Sequence, residues 1–248
     1  KIPEPLVGPL RSALRLSQSR LYGKVLNAKV TGRAFIPQNR QTIVISNHCS
    51  HLDMGLVKYA LGSYGKKLVA LAAKDYFFEG NKWMVAYFEQ LTNLQPVDRS
   101  GSFRKSLDEA KEVVNGGHVV LLFPEGTRRT DGSLGDFKPL VGKLALETGV
   151  DVLPIFLDGT FDVLPKGAVV PRGRSVTVRI GAPIQSEDLL RLTENMRPAD
   201  AAREASRILR QAVSTLRDGS VLDASVLEAR VEPVEDEGHE VQAIFDEL

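Results

Sequence analysis

Three short runs in this chain are apolar almost from end to end: "TIVIS" (42–46), "HVVLLF" (118–123) and "DVLPIFLDG" (151–159). A strand with one wet face must alternate, because successive side chains point to opposite sides of the sheet. A run without a polar side reads as a strand of a parallel sheet buried on both faces. "SVTVRIGAPI" (175–184) is a fourth strand, and "KKLVALAAK" (66–74) is a strand or a short helix. The segments between them look helical: 54–65, 100–117 with Ser at its start and a Gly-Gly stop, "FKPLVGKLALETG" (137–149) closed by Gly149, and 186–217 opened by Ser186, Glu187 and Asp188. Strands that alternate with helices predict an α/β fold, a single domain with a mostly parallel sheet flanked by helices. A length of 248 residues suits one such domain with a full core.

The chain carries 32 basic and 31 acidic side chains, but they are unevenly placed. From Asp223 to Leu248 there are nine acidic residues and one basic residue, whereas the first forty hold eight basic residues and only Glu4 on the acidic side. A basic body with an acidic tail follows. Residues 5–26 place Leu6, Leu10, Leu14, Leu21 and Val25 at helical spacing, with Arg11, Arg15, Arg20 and Lys24 mostly on other sides. Such a basic amphipathic helix can lie in a membrane interface or pack on its own domain. The expected division is therefore a basic N-terminal helix over 1–26, a working domain over 27–217 and an acidic, solvated tail over 218–248. No apolar run reaches 18 residues and no secretory signal is visible, so a peripheral attachment is expected rather than a transmembrane span. A single cysteine, Cys49, excludes an internal disulfide framework and suits a reducing compartment. The first residue is lysine, as in a processed or trimmed piece of something longer.

Two polar clusters follow directly on predicted buried strands: "NHCSHLD" (47–53) after "TIVIS", and "PEGTRR" (124–129) after "HVVLLF". Ligands of open α/β sheets bind outside the carboxyl ends of the strands, so both clusters are expected to face one crevice. In the first, the Asp53 carboxylate can reach back to the His48 imidazole across the start of a helix. A carboxylate on one ring nitrogen fixes the tautomer and leaves the other nitrogen as a general base. A helix-capping aspartate beside an ordinary histidine is the plainer alternative. Cys49 suggests a thiol nucleophile, but neighbours at a helix start point apart, and a small buried cysteine is commoner. His48, His51 and Asp53 offer too few ligands for zinc, and no metal is expected. In the second cluster Gly126 permits close approach, and Arg128 with Arg129 suits phosphate, joined by Arg99 and Lys138; a solvated charge cluster is the alternative. GxSxG, P-loop and GxGxxG motifs are absent, and no nucleic-acid module accompanies the basic body. Residues 76–88, "YFFEGNKWMVAYF", hold six of the aromatic side chains and the single Trp, as core, acyl-groove lining or an interfacial patch.

Together these stretches resemble the four blocks of the glycerolipid acyltransferase family, which includes the bacterial 1-acylglycerol-3-phosphate acyltransferases. "NHCSHLD" is similar to its NHx4D block, "LQPVDR" to the second, "FPEGTR" to the third, and "VLPIFLDG", with Pro154, to the fourth. The order also matches, over roughly residues 25–185. The resemblance implies that His48 deprotonates the acceptor hydroxyl, with Asp53 orienting it, and that no covalent acyl-enzyme forms. It implies that Arg99, Glu125, Gly126, Thr127 and Arg128 hold the acceptor phosphate, with Asn47, Lys138 and Pro154 in support. The acyl group would come from a thioester, acyl-CoA or acyl carrier protein, as co-substrate with no bound cofactor. The acceptor would be the lysophospholipid 1-acylglycerol 3-phosphate, giving phosphatidic acid at the cytoplasmic face of a membrane, with glycerol 3-phosphate or another lysolipid or hydroxylated lipid as alternatives, as would suit a domain of a larger lipid enzyme. A non-catalytic lipid- or carrier-binding module is the alternative of another class. The thioester oxyanion needs donors, and backbone amides at the helix start after Asn47 are the candidates. Lys166, Arg172 and Arg174 could receive an acidic carrier or anionic lipid, or simply be a solvated loop.

Overall fold

The apolar runs form neighbouring strands of one sheet. The computed structural model describes residues 3–38, 40–73, 92–97, 102–165, 168, 172 and 175–228. Among them the strands are β1 (Lys29–Thr31), β2 (Ile43–Ser46), β3 (Leu68–Ala73), β4 (Leu94–Val97), β5 (Val119–Leu122), β6 (Val152–Asp158) and β7 (Thr177–Ile180). The helices are α1 (Glu4–Arg20), α2 (Asp53–Leu61), α3 (Phe103–Asn115), α4 (Pro139–Thr148), α5 (Thr160–Val163), α6 (Ser186–Thr193) and α7 (Pro198–Arg217). The sheet order is β1-β7-β6-β2-β5-β3-β4, which puts β2 near the middle. β2 pairs in parallel with both β5 and β6, and the antiparallel β6–β7 pair makes the sheet mixed but mostly parallel.

Burial on both faces explains the missing alternation. Ile43 and Ile45 of β2 join Val120, Leu122, Val152 and Phe156 in one apolar cluster, covered by α3, α4, α6 and α7. Val44 joins Val119, Leu121, Leu153 and Ile155 in the other, covered by α2 and by residues 21–26. Each fully buried Leu or Ile contributes about 1.5–3 kcal/mol.

Several boundaries differ from expectation. The helix expected over 186–217 is two helices, because Arg197 before Pro198 is extended and Pro198 starts α7. The helix expected to reach residue 65 stops at Leu61, where Gly62 turns with φ +59°. β1 and β4 were not foreseen; both are short, with pairing as their only signal.

The two ends are more firmly attached than the sequence suggested. No residue of α1 is buried, but α1 runs into a π-turn at Leu21–Val25 in which Tyr22 is buried. The Tyr22 hydroxyl donates to the Leu52 carbonyl at 3.0 Å, and Leu26 is fully buried. A Cβ on Gly55 would stand 2.3 Å from that hydroxyl, so glycine makes the contact possible. The expected boundary at residue 26 thus cuts through the core, and the exposed helix ends at Arg20. At the other end, Arg191 donates to the carbonyls of Ala224 (3.1 Å), Ser225 (3.3 Å) and Leu227 (2.9 Å), and Ala224 is buried. This part of the expected solvated tail is docked on α6. Residues 229–248 and the aromatic stretch 76–88 lie outside the described residues.

Candidate active site

The carboxyl end of β2 is fastened to β6 by a side chain. Beyond the last ladder pair, Ser46 with Ile155, Asn47 donates from Nδ2 to the Leu157 carbonyl at 2.9 Å and accepts the Leu157 N–H on Oδ1 at 2.8 Å. This buried amide stands in for one more rung, while the chain turns out of the sheet.

The turn then wraps around Asp53, the first residue of α2 and fully buried. Its Oδ2 accepts the amides of Cys49 and Ser50, both at 2.8 Å, and lies 2.9 Å from His48 Nδ1. A carboxylate can only accept, so Nδ1 carries the hydrogen, and in the neutral ring Nε2 keeps its lone pair. The His48 ring stacks on Phe123, with centroids 4.0 Å apart and planes 16° from parallel. Its side chain is 22% exposed.

The loop after β5 is clasped to the loop after β2, as expected for clusters at the ends of paired parallel strands. Glu125, buried, accepts the His48 amide on Oε1 and the Gly135 amide on Oε2, both at 2.8 Å, while Arg129 donates its amide to the His48 carbonyl at 2.8 Å. Burial pushes the Glu125 carboxyl up from its ordinary value, and these two amides counter that. Both oxygens serve the protein's own backbone, so Glu125 braces the two loops rather than touching an anion directly. A Cβ on Gly135 would come 2.8 Å from Glu125 Oε2, so a larger residue there would have to displace the carboxylate.

Gly126 turns the loop with φ +77° and donates to the Phe123 carbonyl at 3.0 Å. Lys138 caps α4, donates its amide to the Pro124 carbonyl at 2.9 Å, and runs its side chain past Gly126. Thr127 is exposed and Arg128 half-buried. Partial burial, then the charges of Arg128 and His48, lower the pKa of His51. The Arg129 guanidinium is held by Asp131 at 2.9 Å and Ser133 at 3.1 Å within its own loop.

Other expected members stand elsewhere. Pro154 is buried inside β6, three residues before Leu157; its carbonyl accepts the Gly181 amide at 2.9 Å, and its missing N–H falls where the β7 ladder ends. Arg99, Lys166 and Arg174 lie outside the described residues, and Arg172 is exposed. The amides expected to face an oxyanion are engaged: His48 N–H by Glu125, and those of Cys49 and Ser50 by Asp53. Cys49 is buried, and burial followed by the charges of Asp53 and Glu125 pushes its thiol up to about 12. A protonated, enclosed thiol is a poor nucleophile. Cys49→Ala is therefore expected to keep transfer activity within about twofold, and the wild-type thiol to react with a chromogenic disulfide only after denaturation. A collapse of activity in a folded variant would restore the thiol route.

Residues 27–158 match the protein-family model described as Acyltransferase. The chain belongs to the acyltransferase family. The matched span begins just before β1 and ends on the last residue of β6, so it holds both polar clusters and the Asn47–Leu157 clasp. The chain is 28% identical over 185 residues to a 1-acyl-sn-glycerol-3-phosphate acyltransferase of Cocos nucifera, covering 70% of the chain and 58% of that protein. It is 29% identical over 187 residues to that of Limnanthes alba, covering 71% and 64%. Against the alpha form of Bos taurus it is 24% identical over 199 residues, covering 80% and 65%. The chain thus aligns with about three fifths of the length of these relatives. The crystal structure of the 1-acyl-sn-glycerophosphate acyltransferase PlsC from Thermotoga maritima shares the fold, with TM-score 0.60, 24% identity, and coverage of 84% of this chain and 81% of that one.

Three parts of this candidate site escaped the sequence reading. The Leu157 and Gly135 backbone groups carry no side-chain signal. Phe123 was read as the end of an apolar strand, and only its place directly before "PEGTRR" hinted at more.

Proposed function

We propose that this acyltransferase moves a fatty acyl group from an acyl thioester, carried by coenzyme A or acyl carrier protein, to the free hydroxyl of 1-acylglycerol 3-phosphate, giving phosphatidic acid. The observation that carries the reading is the 2.9 Å His48–Asp53 contact, on a loop clasped to the one bearing Gly126 and Arg128. His48 Nε2 takes the hydroxyl proton as the oxygen attacks the thioester carbonyl. The tetrahedral intermediate collapses, the C–S bond breaks, and the thiolate recovers the proton from the imidazolium that Asp53 has steadied. Arg128 and Lys138 supply positive charge for the acceptor phosphate, the Gly126 turn leaves room for it, and Glu125 keeps that loop in register with His48. Acceptor-dependent release of free thiol tests the reading. Replacing the acceptor by the same monoacylglycerol without phosphate should lower kcat/KM by at least about tenfold, since charge-assisted bonds are lost. No acceptor-dependent release from either donor would overturn the proposal.

The same proposal places the enzyme peripherally at the cytoplasmic face of a membrane. Leu6, Leu10 and Leu16 of α1 are exposed, beside Arg11, Arg15 and Arg20. Among the described residues no helix is long and apolar enough to cross a membrane. Removing residues 1–20, which spares the packed Tyr22 and Leu26, is expected to weaken sedimentation with anionic vesicles at least about tenfold, since each arginine near such a surface contributes about 1 kcal/mol. Unchanged sedimentation would sink the interfacial role.

A further inference from the structure

We infer that Phe123 is a positioning residue for the transfer reaction, the flat support that aims the His48 base nitrogen at the acceptor hydroxyl and steadies the ring once it is charged. The inference rests on the reaction proposed above. Phe123 immediately follows β5, half-buried against the apolar cluster beneath α2, and its carbonyl accepts the Gly126 amide. Its ring is therefore backed by apolar packing, and its backbone is held by the turn.

The Asp53 contact fixes only one atom of the imidazole, Nδ1. Small coupled changes of χ1 and χ2 can keep Nδ1 within hydrogen-bond reach of Asp53 while they tilt the ring and shift Nε2. A second ring 4.0 Å away and 16° from parallel blocks such tilting on its side. A misplaced base loses rate steeply, because proton transfer needs hydrogen-bond geometry.

The stack also acts on charge. His48 becomes an imidazolium as it takes the hydroxyl proton, and an aromatic face attracts a cation laid over it. The neutral ring gains less, so this attraction favours the transition state over the ground state and should appear in kcat rather than KM. Leucine at this position would keep the apolar bulk but not the flat, electron-rich face.

The test compares wild type, Phe123→Leu and Phe123→Tyr in the acceptor-dependent thiol-release assay, with melting temperatures measured alongside. Phe123→Leu is expected to lose roughly two- to thirty-fold in kcat, the range of one cation–aromatic contact. Its KM for the acceptor should stay within about twofold, and Phe123→Tyr should recover most of the rate. A Leu variant with wild-type kcat, a loss confined to KM, or a folded Tyr variant as slow as the Leu one would each overturn the inference. A second readout needs no turnover. In wild type the His48 ring protons should be displaced by the Phe123 ring current, assigned by their disappearance in His48→Ala, and should move back in Phe123→Leu. Displaced protons in a protein that transfers no acyl group would show that the reaction, and the positioning role with it, fails while the geometry stands. Active protein with undisplaced protons would remove the positioning role and leave the reaction untouched.

Discussion

His48→Ala is expected to lower acceptor-dependent acyl transfer by about 10²–10⁴-fold, the usual worth of a positioned general base. The loss should fall on kcat, with KM for the acceptor nearly unchanged, because the imidazole acts on the proton and not on the phosphate. Folding should survive. The side chain is 22% exposed, and the backbone amide and carbonyl that clasp Glu125 and Arg129 are kept by alanine. Asp53 retains the Cys49 and Ser50 amides on Oδ2. A melting temperature within a few degrees of wild type is the control, since about 1 kcal/mol moves a domain of this size by roughly 2–4 °C. Full activity in the alanine variant would remove His48 from the chemistry. Continued binding of the lysolipid with full biological effect, but no turnover in either protein, would favour a binding module.

Asp53 should show two separable effects, because one oxygen serves both the turn and the base. Asp53→Ala leaves the buried amides of Cys49 and Ser50 unsatisfied, at about 1–3 kcal/mol each, so melting should fall clearly as activity disappears. Asp53→Asn can keep an acceptor oxygen for those amides but has no charge to steady an imidazolium. Its melting temperature should fall much less than that of Asp53→Ala, while kcat drops by about 10²–10⁴-fold. Combining Asp53→Asn with His48→Ala should add little further loss, since the two act as a unit. An asparagine variant that is active and stable would reduce Asp53 to a cap of the turn.

Much of the sheet was legible because burial on both faces writes itself as unbroken apolar runs. β2, β5 and β6 appear that way, and all three lie in the interior of the sheet. β1 and β4 occupy its two edges, where the pattern is weakest, and neither was recognised. The break at Pro198 was written in the sequence but outweighed by the helical periodicity on both sides of it. Docking of residues 222–227 was not legible, because it depends on one arginine reaching three carbonyls.

The site divides in the same way. By itself the sequence determined which chemical groups stand at the ends of the β2 and β5 strands, because local order puts "NHCSHLD" and "PEGTRR" directly after them. The His48–Asp53 pair is local too, five residues apart across a helix start. Only the tertiary structure decided what each remaining group does there. Glu125 turned out to be a brace because the partners of its two oxygens come from positions 48 and 135. Cys49 is buried and protonated, and the amides expected for an oxyanion are already engaged. Phe123 meets His48 face to face across 75 positions of chain. Local sequence fixes which atoms are offered. Which of them remain available depends on partners brought in from distant segments, and that follows from packing.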